Sequence, residues 1–199
     1  LGQARETGTN PVRLVLAGAG LSVMLASLTG IIVLNAPPEV FDRFRHWAAG
    51  SLSGSGFALL GWPGLAIGAG LAAAFALAAR LNALALGQEI GRALGVDLRL
   101  TWLLACLAVM LLAGAATALA GPIAFVGLVA PHLARLLAGP DQRWILPFSA
   151  LIAAGLLLGA DILGRLLAAP AEIAAGIVAL LLGGPAFIVL VRRFRLSRL

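Results

Sequence analysis

Between Leu100 and Ala134 the chain carries no charged residue, a run that only a lipid environment accommodates. One crossing of the hydrocarbon core takes about 20 apolar residues in a helix, so this run is too long for one span. Gly121-Pro122 lies inside it. Proline cannot continue a helical hydrogen-bond ladder, and glycine loosens one. The run therefore reads as two spans, about Leu100–Leu119 and Ile123–Leu137. Leu14–Leu34, Phe57–Ala79, Ile145–Leu163 and Ile173–Val191 supply four more. The expected fold is all-α, a polytopic transmembrane helical bundle forming a single domain over residues 1–199.

Composition supports lipid as the solvent. Hydrophobic residues make up 61% of the chain and charged ones 11%, against about 25% charged in a soluble domain. The net charge is +6, carried by arginine with no lysine at all. Nucleic-acid binding needs such charge gathered on one face or tail, whereas these arginines lie between long uncharged runs. No GxxxxGK[ST] occurs, so ATP is not held here through a P-loop. Six spans put Arg5, Arg13, Arg80, Arg92, Arg99, Arg135, Arg143, Arg192, Arg193, Arg195 and Arg198 on one side. Arg43, Arg45 and Arg165 alone fall on the other. Positive residues favour the cytoplasm, so both ends of the chain are expected inside.

Two loops stand apart. Residues 35–56, outside, hold Pro37-Pro38, a possible gate of small residues from Gly50 to Gly54, and an amphipathic stretch near Val40–Trp47. That stretch suits a short helix lying at the membrane interface, anchored by Trp47. Residues 81–97, inside, alternate helix-forming stretches with Gly87, Gly91 and Gly95, which suits two short helices broken at glycine. Leu84, Leu86, Ile90 and Leu94 are poorly explained by solvent exposure. They belong on the membrane surface or against another protein. Gly64 with Gly68, Gly155 with Gly159 and Gly114 with Ala118 have the spacing of close helix contacts, within the bundle or between protomers.

Several lone residues have bland readings. Cys106 is a small buried hydrophobe, and His132 a packed or hydrogen-bonded histidine. His46 lies across the membrane from His132, so a two-histidine metal site is not expected. Asp161 is costly inside a span unless paired, and Arg165 stands one turn on at i, i+4. Glu172 is placed to complement the N-terminal dipole of the last helix.

Three stretches in order then resemble the binding-protein-dependent ABC importer permeases for ferric siderophores, haem and cobalamin. They are Leu81–Val96, Gly121–Arg135 (GPIAFVGLVAPHLAR), and Leu146–Phe187 with Ala160-Asp161, Arg165, Pro170, Glu172, Gly176 and Gly183-Gly184-Pro185. The resemblance covers about Val12 to Arg193 and departs at Ala174, where proline is common. It implies the last six of roughly ten spans, each of the usual length, in a bacterial inner membrane. It implies no catalysis by this chain and no cofactor. The loop 81–97 would be the cytoplasmic coupling loop, with Leu84, Leu86 and Leu94 as apolar anchors and Gln88, Glu89 and Arg92 as polar contacts to an ATP-binding cassette subunit. Arg165 would pair with a glutamate of a substrate-binding protein, and the first and last spans would line a path at the two-fold axis with a second permease copy. The cargo would be an iron chelate, most often a ferric siderophore.

Two alternatives follow from the residues. A permease for free zinc or manganese would place His, Asp or Glu ligands inside its spans, and this chain offers almost none. An intramembrane hydrolase would use Ser53 with His46, but neither GxSG nor GxSxG is present.

Overall fold

The computed structural model describes residues 11–53, 56, 60–169 and 171–196. It forms two compact units that part between Arg45 and His46, where the sequence suggests one domain. In the first, α1 (Pro11–Leu34) is apolar from Val15 onward. Its few polar side chains fold back on their own helix. Ser22, Ser27, Thr29 and Asn35 donate to the carbonyls of Gly18, Val23, Leu25 and Ile31 at 2.7–2.9 Å. Such back-bonding satisfies a hydroxyl or amide where water is absent. α2 (Pro38–Ala48) opens with proline in the first helical position and Glu39 in the first turn. It is the short amphipathic helix expected near Val40–Trp47, with Asp42 and Arg45 paired at 3.6 Å on its exposed face.

The second unit holds α3 (Gly61–Ala85), α4 (Gln88–Ala93), α5 (Leu98–Ala120), α6 (Val126–Ala138), α7 (Gln142–Ala168) and α8 (Ala175–Leu196). α3 packs on α5, α6 on α7 and α7 on α8, with α3 also meeting α7 and α6 meeting α8. Each of the six apolar runs contributes a helix (α1, α3, α5, α6, α7 and α8), and the described residues hold no strand. Val15–Leu34, Gly61–Ala85, Leu98–Ala120 and Gln142–Ala168 are long and apolar enough to cross a membrane. α6 is shorter, and its 13 residues reach only about 20 Å at the helical rise.

The division at Gly121-Pro122 is real and sharp. α5 ends at Ala120 with Gly121 at φ +73°. Phe125, at φ +67°, turns the chain into α6. A bulky side chain rarely adopts that backbone region. Phe125 is held there against Gly183 and edge-on to Phe187 of α8, ring centroids 6.2 Å apart.

The inward faces are small and the outward ones large. Ala78, Ala108, Ala130, Ala134, Ala160 and Ala175 are buried, while Leu151, Leu158, Leu166 and Leu181 stand exposed. Without a hydrophobic force between helices in lipid, close approach of small residues provides the packing. Within the bundle, the glycine pairs expected to make these contacts do not. A Cβ on Gly68, Gly114, Gly155 or Gly159 would meet nothing within 4 Å. The α3–α5 crossing lies instead at Gly70, where a Cβ would come 2.7 Å from Leu112 Cγ. Cys106 is likewise exposed rather than buried. Spacing marks positions that allow approach, but the crossing point selects which of them is used.

Candidate coupling and docking surfaces

The second unit gathers its polar and glycine-rich residues at two opposite ends. At the first, α3 passes straight through Leu81–Ala85, so the loop 81–97 holds one short helix, α4, rather than two. Gly87, at φ +119°, makes the bend, a conformation that glycine adopts without a steric penalty. α4 seats its Gly91 on Leu84 of α3, whose Cδ2 a Cβ there would approach to 2.7 Å. Of the expected apolar anchors, Leu84 is thus a support beneath α4. Leu86 and Leu94 point away, 64% and 63% exposed, beside Ile90 and the exposed Gln88, Glu89 and Arg92. Asp97 then caps α5 through Leu100 N–H at 3.1 Å.

On the turn of α3 that seats α4 lies a contact that sequence reasoning missed. Asn82 Nδ2 donates to Asp141 Oδ1 at 2.6 Å, and its Oδ1 accepts from the Gln142 backbone N–H at 2.8 Å. Asp141, the N-cap of α7, also accepts from Arg143 N–H at 2.9 Å. That backbone bond, with the Asn82 amide second, holds the Asp141 carboxyl below the ordinary carboxylate range. Asp141 after Gly139-Pro140 has the pattern of an N-cap, but nothing local names a partner 59 positions away.

At the opposite end, Arg165 Nε donates to Asp161 Oδ2 at 2.9 Å, the i, i+4 pair expected within α7. The sequence reading of Glu172 needs correction. α8 begins at Ala175, and Glu172 turns its carboxylate away to Arg165 Nη1 at 3.5 Å while accepting from Ser53 Oγ at 2.8 Å. Charge pairing across two segments outweighs a weak terminal dipole. The Ser53 hydroxyl therefore meets a carboxylate, not an imidazole. The Arg165 side chain remains 47% exposed.

Beside this cluster three backbones touch. Gly176 N–H donates to Gly50 O at 2.7 Å, and Ser51 N–H to Ala120 O at 2.9 Å. A Cβ on Gly121 would overlap the Trp47 carbonyl, one on Gly176 the Ala49 carbonyl, and one on Gly50 would lie 2.9 Å from Pro122 O. The end of the 35–56 loop, the α5–α6 turn and the start of α8 thus meet backbone to backbone, with a glycine in each segment. Between α6, α7 and α8 lies an apolar recess of about 180 Å³ lined by Phe125, Val129, Leu156 and Leu182. Among the described residues, no three His, Cys, Asp or Glu side chains group as metal ligands would.

Residues 1–193 match the FecCD transport family. The chain is 44% identical to the ferric enterobactin transport system permease protein FepD of Escherichia coli (strain K12), over 92% of this chain and 54% of that protein. It is 39% identical to the hemin transport system permease protein HmuU of Yersinia pestis, over 95% and 57%. It is 37% identical to the "Probable siderophore transport system permease protein YfiZ" of Bacillus subtilis (strain 168), over 96% and 57%. A solved metal-chelate type ABC transporter in an inward-facing conformation superposes with a TM-score of 0.82 at 32% identity, covering 92% of this chain and 59% of that one. The chain spans about half the length of the curated relatives it matches.

Proposed function

The chain belongs to the FecCD transport family, and from that premise we propose that it forms part of the permease of an ATP-driven importer for an iron chelate, a ferric siderophore before haem. It does no covalent chemistry. ATP bound and hydrolysed on a partner subunit drives alternating access, a binding protein delivers the chelate, and a second permease copy completes the path. The chain sits in a bacterial inner membrane with both ends in the cytoplasm, as its arginines favour.

The observation that carries this reading is α4. A six-residue helix between two long apolar helices leaves Leu86, Ile90 and Leu94 bare beside Gln88, Glu89 and Arg92. Apolar anchors within a polar rim are what a protein contact uses. At the other end Arg165, half exposed and already oriented by Asp161 and Glu172, offers its free edge to a carboxylate on the binding protein. Rim charges of this kind steer docking and fix register. A permease for free zinc or manganese is not favoured, since the relatives named above are named for siderophore or haem transport.

Leu86→Asp in the full-length permease tests the α4 contact. A buried carboxylate in an apolar contact is strongly unfavourable, so co-purification with the ATP-hydrolysing subunit is expected to be lost while membrane insertion is kept. Retention of that subunit at the parent's ratio would sink the assignment of α4.

A further inference from the structure

We propose that Asn82 is a positioning residue that ties the seat of α4 to the start of α7, so that movement of α4 reaches the far end of the bundle. The proposal rests on the reading of α4 as the surface that meets the ATP-hydrolysing subunit. One side-chain amide is engaged at both its nitrogen and its oxygen. Its N–H goes to the Asp141 carboxylate and its oxygen takes the Gln142 N–H. α7 already has a cap of its own, because Asp141 bonds the Arg143 N–H. Asn82 is therefore an added restraint from another helix and not a substitute for a missing cap.

The same turn of α3 carries both contacts. Leu84, two residues on from Asn82, is the side chain on which Gly91 of α4 rests. α4 is closed on itself by Leu94 N–H to Ile90 O and Val96 N–H to Gly91 O, each 3.0 Å. Pressure on α4 thus falls on the last turn of α3 and passes through Asn82 into α7. That helix runs 27 residues, about 40 Å at the helical rise. Near its other end Asp161 and Arg165 join it to Glu172, and through Glu172 to Ser53. α7 is bonded through side chains near both of its ends. Its two bonds face the two surfaces assigned to the two partners.

Hydrogen-bond accounting supplies the test. Asn82→Asp leaves an acceptor for the Gln142 N–H but sets two carboxylates face to face. Adding Asp141→Asn restores a donor opposite an acceptor; because the Asn82 amide and the Arg143 N–H share Asp141 Oδ1, the new amide turns about its last torsion to keep its oxygen on the Arg143 N–H. The full-length permease is reconstituted with its ATP-hydrolysing subunit, and ATP hydrolysis is read with and without the binding protein. Asn82→Asp is expected to assemble and to hydrolyse ATP at the basal rate, while stimulation by the binding protein falls roughly tenfold. The double variant is expected to recover it. A purely structural role would move assembly and basal rate and leave the stimulation ratio alone. Unchanged stimulation in Asn82→Asp, or no recovery in the double variant, overturns the proposal. Should Asn82→Asp fail to assemble, Asn82→Ala is read in its place, and failure of both overturns it too. A parent complex that neither retains an ATP-hydrolysing subunit nor responds to a binding protein would instead sink the reading of α4 on which this rests.

Discussion

At one end of the helical unit Gly50, Gly121 and Gly176 press three backbones into contact. At the other, one Asn82 amide joins α3 to α7 and leaves α4 standing out with Leu86 and Leu94 bare. A backbone junction has no rotamers to exchange, so it moves as a body or breaks. A side-chain amide can re-form its bonds after a rotation about two torsions. The contrast separates a rigid fulcrum from an adjustable tie. It also explains why chemically ordinary residues gather at both ends of a chain whose middle is almost pure hydrocarbon.

The strongest way to break that contrast is Gly121→Ala. A methyl group there meets both the φ of +73° and the Trp47 carbonyl. We expect a loss of about 3 kcal/mol or more, seen as a collapse of the detergent melting temperature or of folded yield. A parent-like melt would mean that the junction yields, and the distinction between the ends would disappear. Acid acts at the adjustable end. Asp141 is held below the ordinary carboxyl value by the Arg143 N–H and the Asn82 amide. A depressed folded-state value adds stability above the unfolded carboxyl value of about 3.9, and this is lost as pH falls through the lower folded value. Melting curves taken downward from neutrality should therefore fall less steeply below about pH 4 in Asp141→Asn than in the parent. Equal slopes would remove Asp141 from the tie. The smallest effect sharpens the comparison from the middle. Gly155→Ala adds a methyl where nothing lies within 4 Å, so helix propensity should raise stability by about 0.5–1 kcal/mol. A clear loss would reveal a neighbour at that face that the isolated chain does not show.

What the sequence disclosed and what it withheld follow one physical division. Apolar runs, the break at Gly121-Pro122 and the Asp161–Arg165 pair are local, and each appears where it was expected. Asn82 with Asp141, and Ser53 with Glu172, lie 59 and 119 positions apart, and no periodicity encodes such meetings. Glu172 shows the hazard of a local explanation, for its position before a helix suggested a dipole while its carboxylate pairs with Arg165 and accepts from the distant Ser53. The loop 81–97 shows another. Three glycines suggested two helices, but the first stretch simply prolongs α3. Arg13 and the arginines beyond Val191 have no described side chains, and Arg5 and Arg198 lie outside the described residues.

An interior built of Ala130, Ala134 and Ala160 also changes which mutations harm this protein. In a water-soluble domain the usual injury is truncation, where a deleted methylene leaves a void. Here little can be deleted, and damage comes from enlargement, as valine or leucine arriving at an alanine seat would wedge two helices apart. Genetic drift should accordingly be loose among the outward leucines and strict against growth on the inward alanines.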